Sequence, residues 1–217
     1  MSKYQLIVFD WDGTLMDSTG HIVNCIKQAS IMLDFPILSD KTIRHIIGLG
    51  LQEALRTLYP QESNERREHL ATTYREVWRT TPEQTPLFDH AEQLIKYLAQ
   101  QDFFLAVATG KSRRGLDRIL DNTGLGSHFH ITRCPDECHS KPHPQMLEQI
   151  MDYCGVEAQH TLMIGDTEFD LLMAQNANVD SLGISHGAHD VELLQTCNPQ
   201  SIVDDLQQVQ QFISKSI

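Results

Sequence analysis

Short strand patterns that alternate with helical patterns restrict the fold of this chain more than any other feature of its sequence. Five segments are rich in β-branched and apolar residues, at 5–9, 103–108, 128–132, 161–164 and 181–185. Helical periodicity fills the gaps between the last four, at 114–122, 144–153 and 169–176. Strands joined by helical crossovers lie parallel in one sheet. The sequence therefore predicts an α/β fold with a Rossmann-like parallel-sheet core.

The interval between the first and second strand patterns is long and mostly helical. It spans roughly ninety residues, with candidate helices at 18–33, 40–47, 51–58 and 64–79, whereas a single crossover helix needs far fewer. Ser39 is a suitable N-cap for the second of these helices, and two prolines within 80–86 prevent a continuous helix there. We expect an inserted α-helical domain at 16–82, with an α/β core formed by 1–15 and 83–217.

Residues that can carry out chemistry follow the predicted strands, at the edge where an open parallel sheet binds its ligands. Two aspartates follow the first strand, a threonine follows the second, two more aspartates follow the fourth, and a lysine precedes the helix at 144–153. These residues are Asp10, Asp12, Thr109, Lys141, Asp166 and Asp170. We expect the fold to bring them together.

Carboxylates gathered at one edge repel one another unless a cation lies among them, and ligands that are all oxygen favour Mg²⁺. Asp10 and Asp166 are the best candidate ligands. A lysine beside such a centre suits a phosphoryl group, whose oxygens need neutralising during transfer. Gly13-Thr14 and Thr109-Gly110 add small residues and donors where a phosphate can approach the backbone closely.

The spacing of Asp10 and Asp12 permits a division of labour between two carboxylates. One can attack phosphorus, while the other, held protonated, donates a proton to the leaving oxygen and later activates water. Each residue alone has a plainer interpretation. The two aspartates could form Asx turns, Thr109 and Lys141 could be a turn hydroxyl and a surface lysine, and the last two aspartates could be first-turn acids of a helix.

Four motifs in this order resemble those of the haloacid dehalogenase superfamily, and within it the phosphoglycolate phosphatase-like enzymes with a helical, C1-type cap. They are DWDGTL at 10–15 followed by DS at 17–18, ATGK at 108–111, SKPHP at 140–144 and GDTEFD at 165–170. The resemblance covers essentially the whole chain. Asp12 is the most discriminating residue, because the dehalogenase branch lacks an aspartate there.

The resemblance implies a role for each motif residue. Asp10 would be the nucleophile and a metal ligand, and Asp12 the general acid and base as well as a ligand through its backbone carbonyl. Thr109 and Lys141 would act in catalysis by binding the phosphoryl group, with Gly110 beside Thr109. Asp166 would bind Mg²⁺, and Asp170 would support the site from behind. Relatives place a substrate-specificity loop where this chain has Gly48, Leu49 and Gly50, although a simple helix break also explains those glycines.

The resemblance implies a Mg²⁺-dependent phosphatase that hydrolyses a small phosphomonoester through an aspartyl phosphate. A sugar-phosphate mutase of the beta-phosphoglucomutase type is an alternative, but such mutases carry an arginine in the specificity loop, and here the nearest arginines are Arg44 and Arg56. An inorganic pyrophosphatase and a non-catalytic module that binds a phosphate ligand are further alternatives.

The formal charge of −12 disfavours nucleic acid as a partner, because a polyanion is repelled from most of such a surface. The N-terminal segment lacks the apolar core and cleavage site of a signal peptide, and no run reaches the ~18 apolar residues that span a bilayer. We therefore expect a cytoplasmic enzyme with a small-molecule phosphate ester as its partner and no membrane association. The oligomeric state does not follow from the sequence.

Overall fold

A computed structural model of the chain describes residues 3–81 and 85–215. Within these residues, six parallel strands form one sheet in the order β3-β2-β1-β4-β5-β6. The strands are β1 (Leu6–Phe9), β2 (Phe104–Ala108), β3 (Ile131–Arg133), β4 (Thr161–Gly165), β5 (Asp180–Ile184) and β6 (Ser201–Val203). The parallel α/β core is therefore confirmed. The third strand begins later than the sequence predicted, because His128 ends a 3-10 turn at Gly126–His128.

Helices cover both faces of the sheet. They are α5 (Ala91–Ala99), α6 (Arg113–Thr123), α7 (Gln145–Cys154), α8 (Glu168–Asn176), α9 (Val191–Thr196) and α10 (Leu206–Ser214). Strand β1 is buried along its whole length, and its side chains alternate between the two faces, as strand geometry requires. Ile7 and Phe9 join the hydrophobic cluster that includes α5 and α10. Leu6 and Val8 join the cluster that includes α7 and α8.

Four helices lie between β1 and α5, and we call the segment from α1 to α4 the helical insert. They are α1 (Thr19–Met32), α2 (Asp40–Arg44), α3 (Leu51–Leu58) and α4 (Asn64–Thr80). A hydrophobic cluster of its own holds the insert together, with Leu55 and Leu70 fully buried in it. Ser39 caps α2 by accepting a hydrogen bond from the backbone N–H of Thr42 at 3.1 Å, as predicted.

The predicted second helix is shorter than its pattern suggested, because α2 ends at Arg44 and the chain continues in turns to Gly48. Gly48 has a φ of 102°, which a helix cannot contain. The predicted boundary at 82/83 and part of the proline-containing linker lie outside the described residues. The exact limits of the two domains therefore stay a prediction.

Among the helices in the described residues, none combines the length and the apolar character needed to cross a membrane.

Candidate active site

The carboxyl ends of the central strands β1, β2 and β4 meet at one edge of the sheet, and the site is built there. Asp10 follows β1, Thr109 follows β2 and Asp166 follows β4. The backbone N–H of Asp10 continues the sheet by donating to the carbonyl of Ile164 at 2.9 Å. This edge also contains Lys141 and Asp170, so the structure brings together the residues that the sequence predicted to converge.

Asp10 is buried against a single cation. Its side chain is 1% exposed, and its Oδ1 lies 2.8 Å from Nζ of Lys141. Its Oδ2 has no hydrogen-bond partner among the residues that the structure describes. Burial raises the pKa of Asp10 to about 7, against the attraction of Lys141 and with added repulsion from Asp170. A buried carboxylate oxygen without a partner is costly unless a ligand satisfies it.

Asp166 is held from two directions and lies beside Asp10. Its Oδ1 accepts the hydroxyl of Thr14 at 2.7 Å, and its Oδ2 accepts the backbone N–H of Ala188 at 2.7 Å. Burial, followed by repulsion from Asp10 and Asp170, raises the pKa of Asp166 well above its usual range. Gly13 must be glycine here, because its φ is +86° and a Cβ would lie 2.2 Å from Asp166 Oδ2.

Asp170 fixes the lysine rather than offering a free oxygen. Its Oδ1 accepts from Nζ of Lys141 at 2.5 Å. Its Oδ2 accepts from the backbone N–H of Thr167 at 3.1 Å and from the Thr167 hydroxyl at 2.7 Å, as part of a capping box at the start of α8. Burial disfavours the ammonium of Lys141, but its attraction to Asp10 and Asp170 outweighs this effect and raises its pKa above the ordinary value.

The carboxylates of Asp10, Asp166 and Asp170 form a group that could hold a cation. One oxygen from each lies within 4.8 Å of the others, and all three side chains are buried. Among the described residues, Lys141 is the only cation that pairs with them, and it pairs with Asp10 and Asp170. The donors are hard carboxylate oxygens of the kind that Mg²⁺ prefers. The partnerless oxygen of Asp10 and the raised pKa of Asp166 both fit a site that gains stability when a divalent cation binds.

Asp12 lies next to the carboxylate group but has different partners. Its Oδ1 accepts from the hydroxyl of Ser18 at 2.5 Å and lies 2.9 Å from Nζ of Lys111. The same Nζ lies 4.8 Å from the ring centroid of Trp78, on α4 of the helical insert. Asp12 is therefore oriented by Ser18, at the end of the first motif, and by Lys111, which also contacts the helical insert.

Thr109 and Gly110 face the helical insert at close range. Thr109 is fully buried, and its Oγ1 accepts from the backbone N–H of Lys111 at 3.2 Å. A Cβ on Gly110 would lie 2.5 Å from the carbonyl oxygen of Leu49 and 2.6 Å from that of Gly48, so only glycine allows this approach. The backbone N–H of Gly50 donates to Oγ of Ser140 at 2.8 Å. The predicted loop at 48–50 thus reaches the sheet edge.

A second contact between insert and core lies at the start of α8. Nε2 of His45 is 3.7 Å from Oε1 of Glu168, and the rings of His45 and His189 stack with centroids 5.2 Å apart. These three residues could be mistaken for a metal site. However, Nδ1 of His189 accepts from the backbone N–H of Glu168 at 3.1 Å, and its Nε2 lies 3.2 Å from the carbonyl oxygen of His45. Both ring nitrogens are therefore already occupied.

A cavity of about 540 Å³ lies between the helical insert and the sheet edge. Of the predicted site residues, those that line it are Asp10, Asp12, Gly48, Leu49, Gly50, Thr109 and Gly110. Lys141, Asp166 and Asp170 lie behind this surface. Side chains from the insert, including Ile22, Ile26 and Trp78, close the opposite wall. The cavity is the space in which a ligand can meet the partnerless oxygen of Asp10.

Sequence reasoning gave no role to several residues that shape the site. Ser18 and Lys111 stand inside the quoted motifs, but only the folded chain shows that both contact Asp12. Ala188 lies on a loop after β5, far from any motif, and its backbone N–H carries no sequence signal. Thr14, expected as a donor to a phosphate, instead donates to Asp166.

Known proteins resemble this chain over nearly its full length. A model of the family described as haloacid dehalogenase-like hydrolase matches residues 7–184. "Probable phosphatase IndB" of Dickeya dadantii is 35% identical, covering 94% of this chain and 91% of that protein. A phosphoglycolate phosphatase of Vibrio parahaemolyticus is 28% identical, covering 98% of this chain and 97% of its own.

Solved structures share the fold. A predicted phosphatase from Clostridium acetobutylicum superposes with a TM-score of 0.88 at 24% identity, over 99% of this chain and 100% of that one. A predicted phosphoglycolate phosphatase from Haemophilus somnus gives a TM-score of 0.86 at 22% identity, over 98% and 99%. Together with the family match, these likenesses establish that the chain belongs to the haloacid dehalogenase-like hydrolases.

Proposed function

We propose that the protein is a Mg²⁺-dependent phosphatase that hydrolyses a small phosphomonoester through an aspartyl phosphate on Asp10. The observation that carries this proposal is the carboxylate of Asp10, which is buried beside Lys141, has no partner for Oδ2 among the described residues, and belongs to a residue that lines a cavity of about 540 Å³. The phosphatases among the similar proteins support it, and phosphoglycolate is the first substrate to test.

Asp10 and Asp166 are the proposed side-chain ligands of Mg²⁺, with the backbone carbonyl of Asp12 as a third. Asp170 is not proposed as a direct ligand, because its Oδ1 pairs with the ammonium of Lys141 and its Oδ2 accepts two hydrogen bonds from Thr167. Each oxygen of Asp166 accepts a single hydrogen bond from a neutral donor, which leaves acceptor capacity for a cation. When bound, the cation neutralises charge on the phosphoryl oxygens and on the carboxylates. Its proposed position accounts for a group of three buried carboxylates of which two, those of Asp10 and Asp170, pair with one lysine.

In the first step, an oxygen of Asp10 attacks phosphorus and the bond to the leaving oxygen breaks, which leaves the phosphoryl group on Asp10. Asp12 gives its proton to the leaving oxygen. In the second step, Asp12 takes a proton from water and the water oxygen attacks phosphorus. The bond between phosphorus and the oxygen of Asp10 breaks, inorganic phosphate leaves, and Asp10 is again a carboxylate. Thr109 and Lys141 bind the phosphoryl oxygens in both steps. Asp170 holds the ammonium of Lys141 in place.

The loop at Gly48, Leu49 and Gly50 is proposed to contact the substrate. Its backbone meets Gly110 beside Thr109, and all three residues line the cavity. The insert covers the sheet edge at this point, and such covers exclude water from the phosphoryl intermediate.

A phosphoester panel with a matched variant tests this function. We expect the protein to release phosphate from phosphoglycolate or another phosphomonoester with Mg²⁺ and to lose activity in EDTA. Asp10→Asn should lower kcat by about a thousandfold or more, as removal of a nucleophile does. Asp152→Asn, an exposed aspartate on α7, is the control and should retain activity.

The outcomes separate the proposal from its alternatives. Release of phosphate from pyrophosphate alone would favour a pyrophosphatase, and product isomers with a bisphosphate requirement would favour a mutase. Absence of turnover on the whole panel with Mg²⁺ would overturn the phosphatase proposal.

A further inference from the structure

The arginines of this chain divide into two groups. Six of the ten arginines make hydrogen bonds or ion pairs within the described residues: Arg44, Arg56, Arg66, Arg67, Arg113 and Arg133. The other four have no such partner there, and all four line the cavity next to Asp10: Arg75, Arg79, Arg114 and Arg118. We call these four the cavity arginines.

The cavity arginines come from two helices on different parts of the fold. Arg75 and Arg79 lie on α4 of the helical insert, and Arg114 and Arg118 lie on α6 of the core. A spacing of four residues places each pair on one helix face. Like charges at this spacing destabilise a helix, and Arg114 lies in the first turn of α6, where a cation opposes the helix dipole. The arrangement costs stability, and a bound anion would offset that cost.

The acidic residues around the cavity do not neutralise this charge. Five of them line it, and four have a cationic or N–H partner: Asp10 with Lys141, Asp12 with Lys111, Glu53 with Arg56 and Asp136 with the backbone N–H of Arg113. Within the described residues, two of the five therefore have no cationic side chain as partner, Glu76 and Asp136. The cavity therefore gathers four cations without an acidic partner against two carboxylates without a cationic one, in a chain whose formal charge is −12. A cleft that reverses the overall sign of a protein concentrates anions.

We propose that the cavity arginines bind a second anionic group of the substrate, a carboxylate or a second phosphate, while its phosphomonoester lies at Asp10. This inference rests on the proposed phosphatase function and narrows its substrate class. A cavity of about 540 Å³ lies in the range of sites for ligands well above phosphoglycolate in size. Apolar side chains, including Ile22 and Trp78, line the cavity as well and can contact the carbon skeleton between the two anions.

Paired substrates that differ only in the second anion test the proposal. One pair is 3-phosphoglycerate and glycerol 3-phosphate, and the other is fructose 1,6-bisphosphate and fructose 6-phosphate. We expect kcat/KM to be at least about tenfold higher for the member with the second anion in one or both pairs, since a hydrogen bond to a charged group contributes about that factor. The pair that responds identifies the anion as carboxylate or phosphate.

Two double variants then locate the effect. Arg75→Gln with Arg79→Gln, and Arg114→Gln with Arg118→Gln, should each raise KM for the preferred substrate by about tenfold and reduce the preference within its pair. Arg66→Gln is the matched control, because Arg66 lies on α4 as well but pairs with Glu62 at 2.7 Å and does not line the cavity. It should leave the preference unchanged. Thermal unfolding checks that the variants fold, and the single substitutions replace any that do not.

The results distinguish this inference from the function on which it depends. Equal kcat/KM for both members of both pairs would overturn the inference while leaving a phosphatase. So would a preference that survives in both double variants. Absence of phosphate release from all four substrates and from p-nitrophenyl phosphate would instead remove the proposed function.

Discussion

At the scale of single residues, the buried carboxylate of Asp10 is unfavourable as a charged group when no cation is bound beside it. Burial and the neighbouring Asp170 raise its pKa from the ordinary 3.8 to about 7, and Lys141 only partly offsets them. Between these two values the folded protein holds a proton that the unfolded chain has lost. Stability from this group therefore falls as the pH rises from about 4 to about 7.

Asp10→Asn removes this charge, so we expect the metal-free variant to be more stable than the metal-free wild type at pH 8. The difference should be on the order of a few kcal/mol, since each pKa unit corresponds to about 1.4 kcal/mol, and it should shrink at pH 5, where Asp10 is already neutral. Urea unfolding in EDTA at both pH values measures it. With Mg²⁺ the order at pH 8 should reverse, because the wild type binds the ion better. A difference independent of pH would contradict this account.

The predicted site residues of the core share one property that made them recognisable from the sequence: each lies within a quoted motif near a strand end or a helix start. Lys141 and Asp170 were expected to meet, and they do so at 2.5 Å. The position of the Lys111 ammonium between Asp12 and the ring of Trp78 was not predicted. Lys111 contacts Asp12, about a hundred positions earlier in the chain, and Trp78 on α4. No local sequence pattern encodes contacts between residues so far apart in the chain.

At the scale of elements, glycines set how closely the insert approaches the sheet edge. A Cβ on Gly110 would lie 2.5 Å from the carbonyl oxygen of Leu49 and 2.6 Å from that of Gly48. These are backbone atoms, so a change of side-chain rotamer cannot relieve the overlap. The loop would have to move away, which would disturb the hydrogen bond from Gly50 to Ser140.

For Gly110→Ala we therefore expect a folded protein with a KM for phosphomonoesters raised by about tenfold and a stability lowered by about 1–3 kcal/mol, the usual cost of overpacking. Steady-state kinetics and thermal unfolding measure both. Gly20→Ala in α1 is the control, because no atom lies within 4 Å of its added Cβ, and it should gain up to about 1 kcal/mol of helix propensity. Unchanged KM and stability in Gly110→Ala would refute the close approach.

Helices and strands were predicted well where both of their ends carried a local sequence signal. The helix at 51–58 was placed at its observed bounds, and Ser39 was correctly identified as an N-cap. The second helix and the third strand were placed less well. The apolar pattern continues past the end of α2 at Ile46 and Ile47, because these residues are buried in turns rather than in a helix. Buried turns and a buried helix give the same pattern of apolar residues at these positions. The packing of the folded chain is what distinguishes the two.

At the scale of the whole molecule, separate hydrophobic clusters hold the insert and the core. The buried residues of the insert's cluster lie between 22 and 77, whereas those of the clusters on the two faces of the sheet lie at 4–16 and from 91 onward. The length of the helical interval led us to expect an inserted helical domain, and the limits given for it stay a prediction. The sequence could not predict the cavity between the parts or the charge within it, because these depend on how α4 and α6 face each other.

Because the insert and the core have separate hydrophobic clusters, we expect that a substitution that destabilises one of them can leave the other folded. Leu70 on α4 and Leu94 on α5 are both fully buried leucines on helices, one in the insert's cluster and one against the sheet. Truncation of either to alanine should cost about 2–5 kcal/mol locally. Native-state hydrogen exchange reports this region by region. We expect Leu70→Ala to speed exchange in α1, α3 and α4 while β1 and β4 keep their protection, and Leu94→Ala to speed exchange in the sheet. Equal loss of protection throughout the chain in Leu70→Ala would mean that insert and core unfold as one unit.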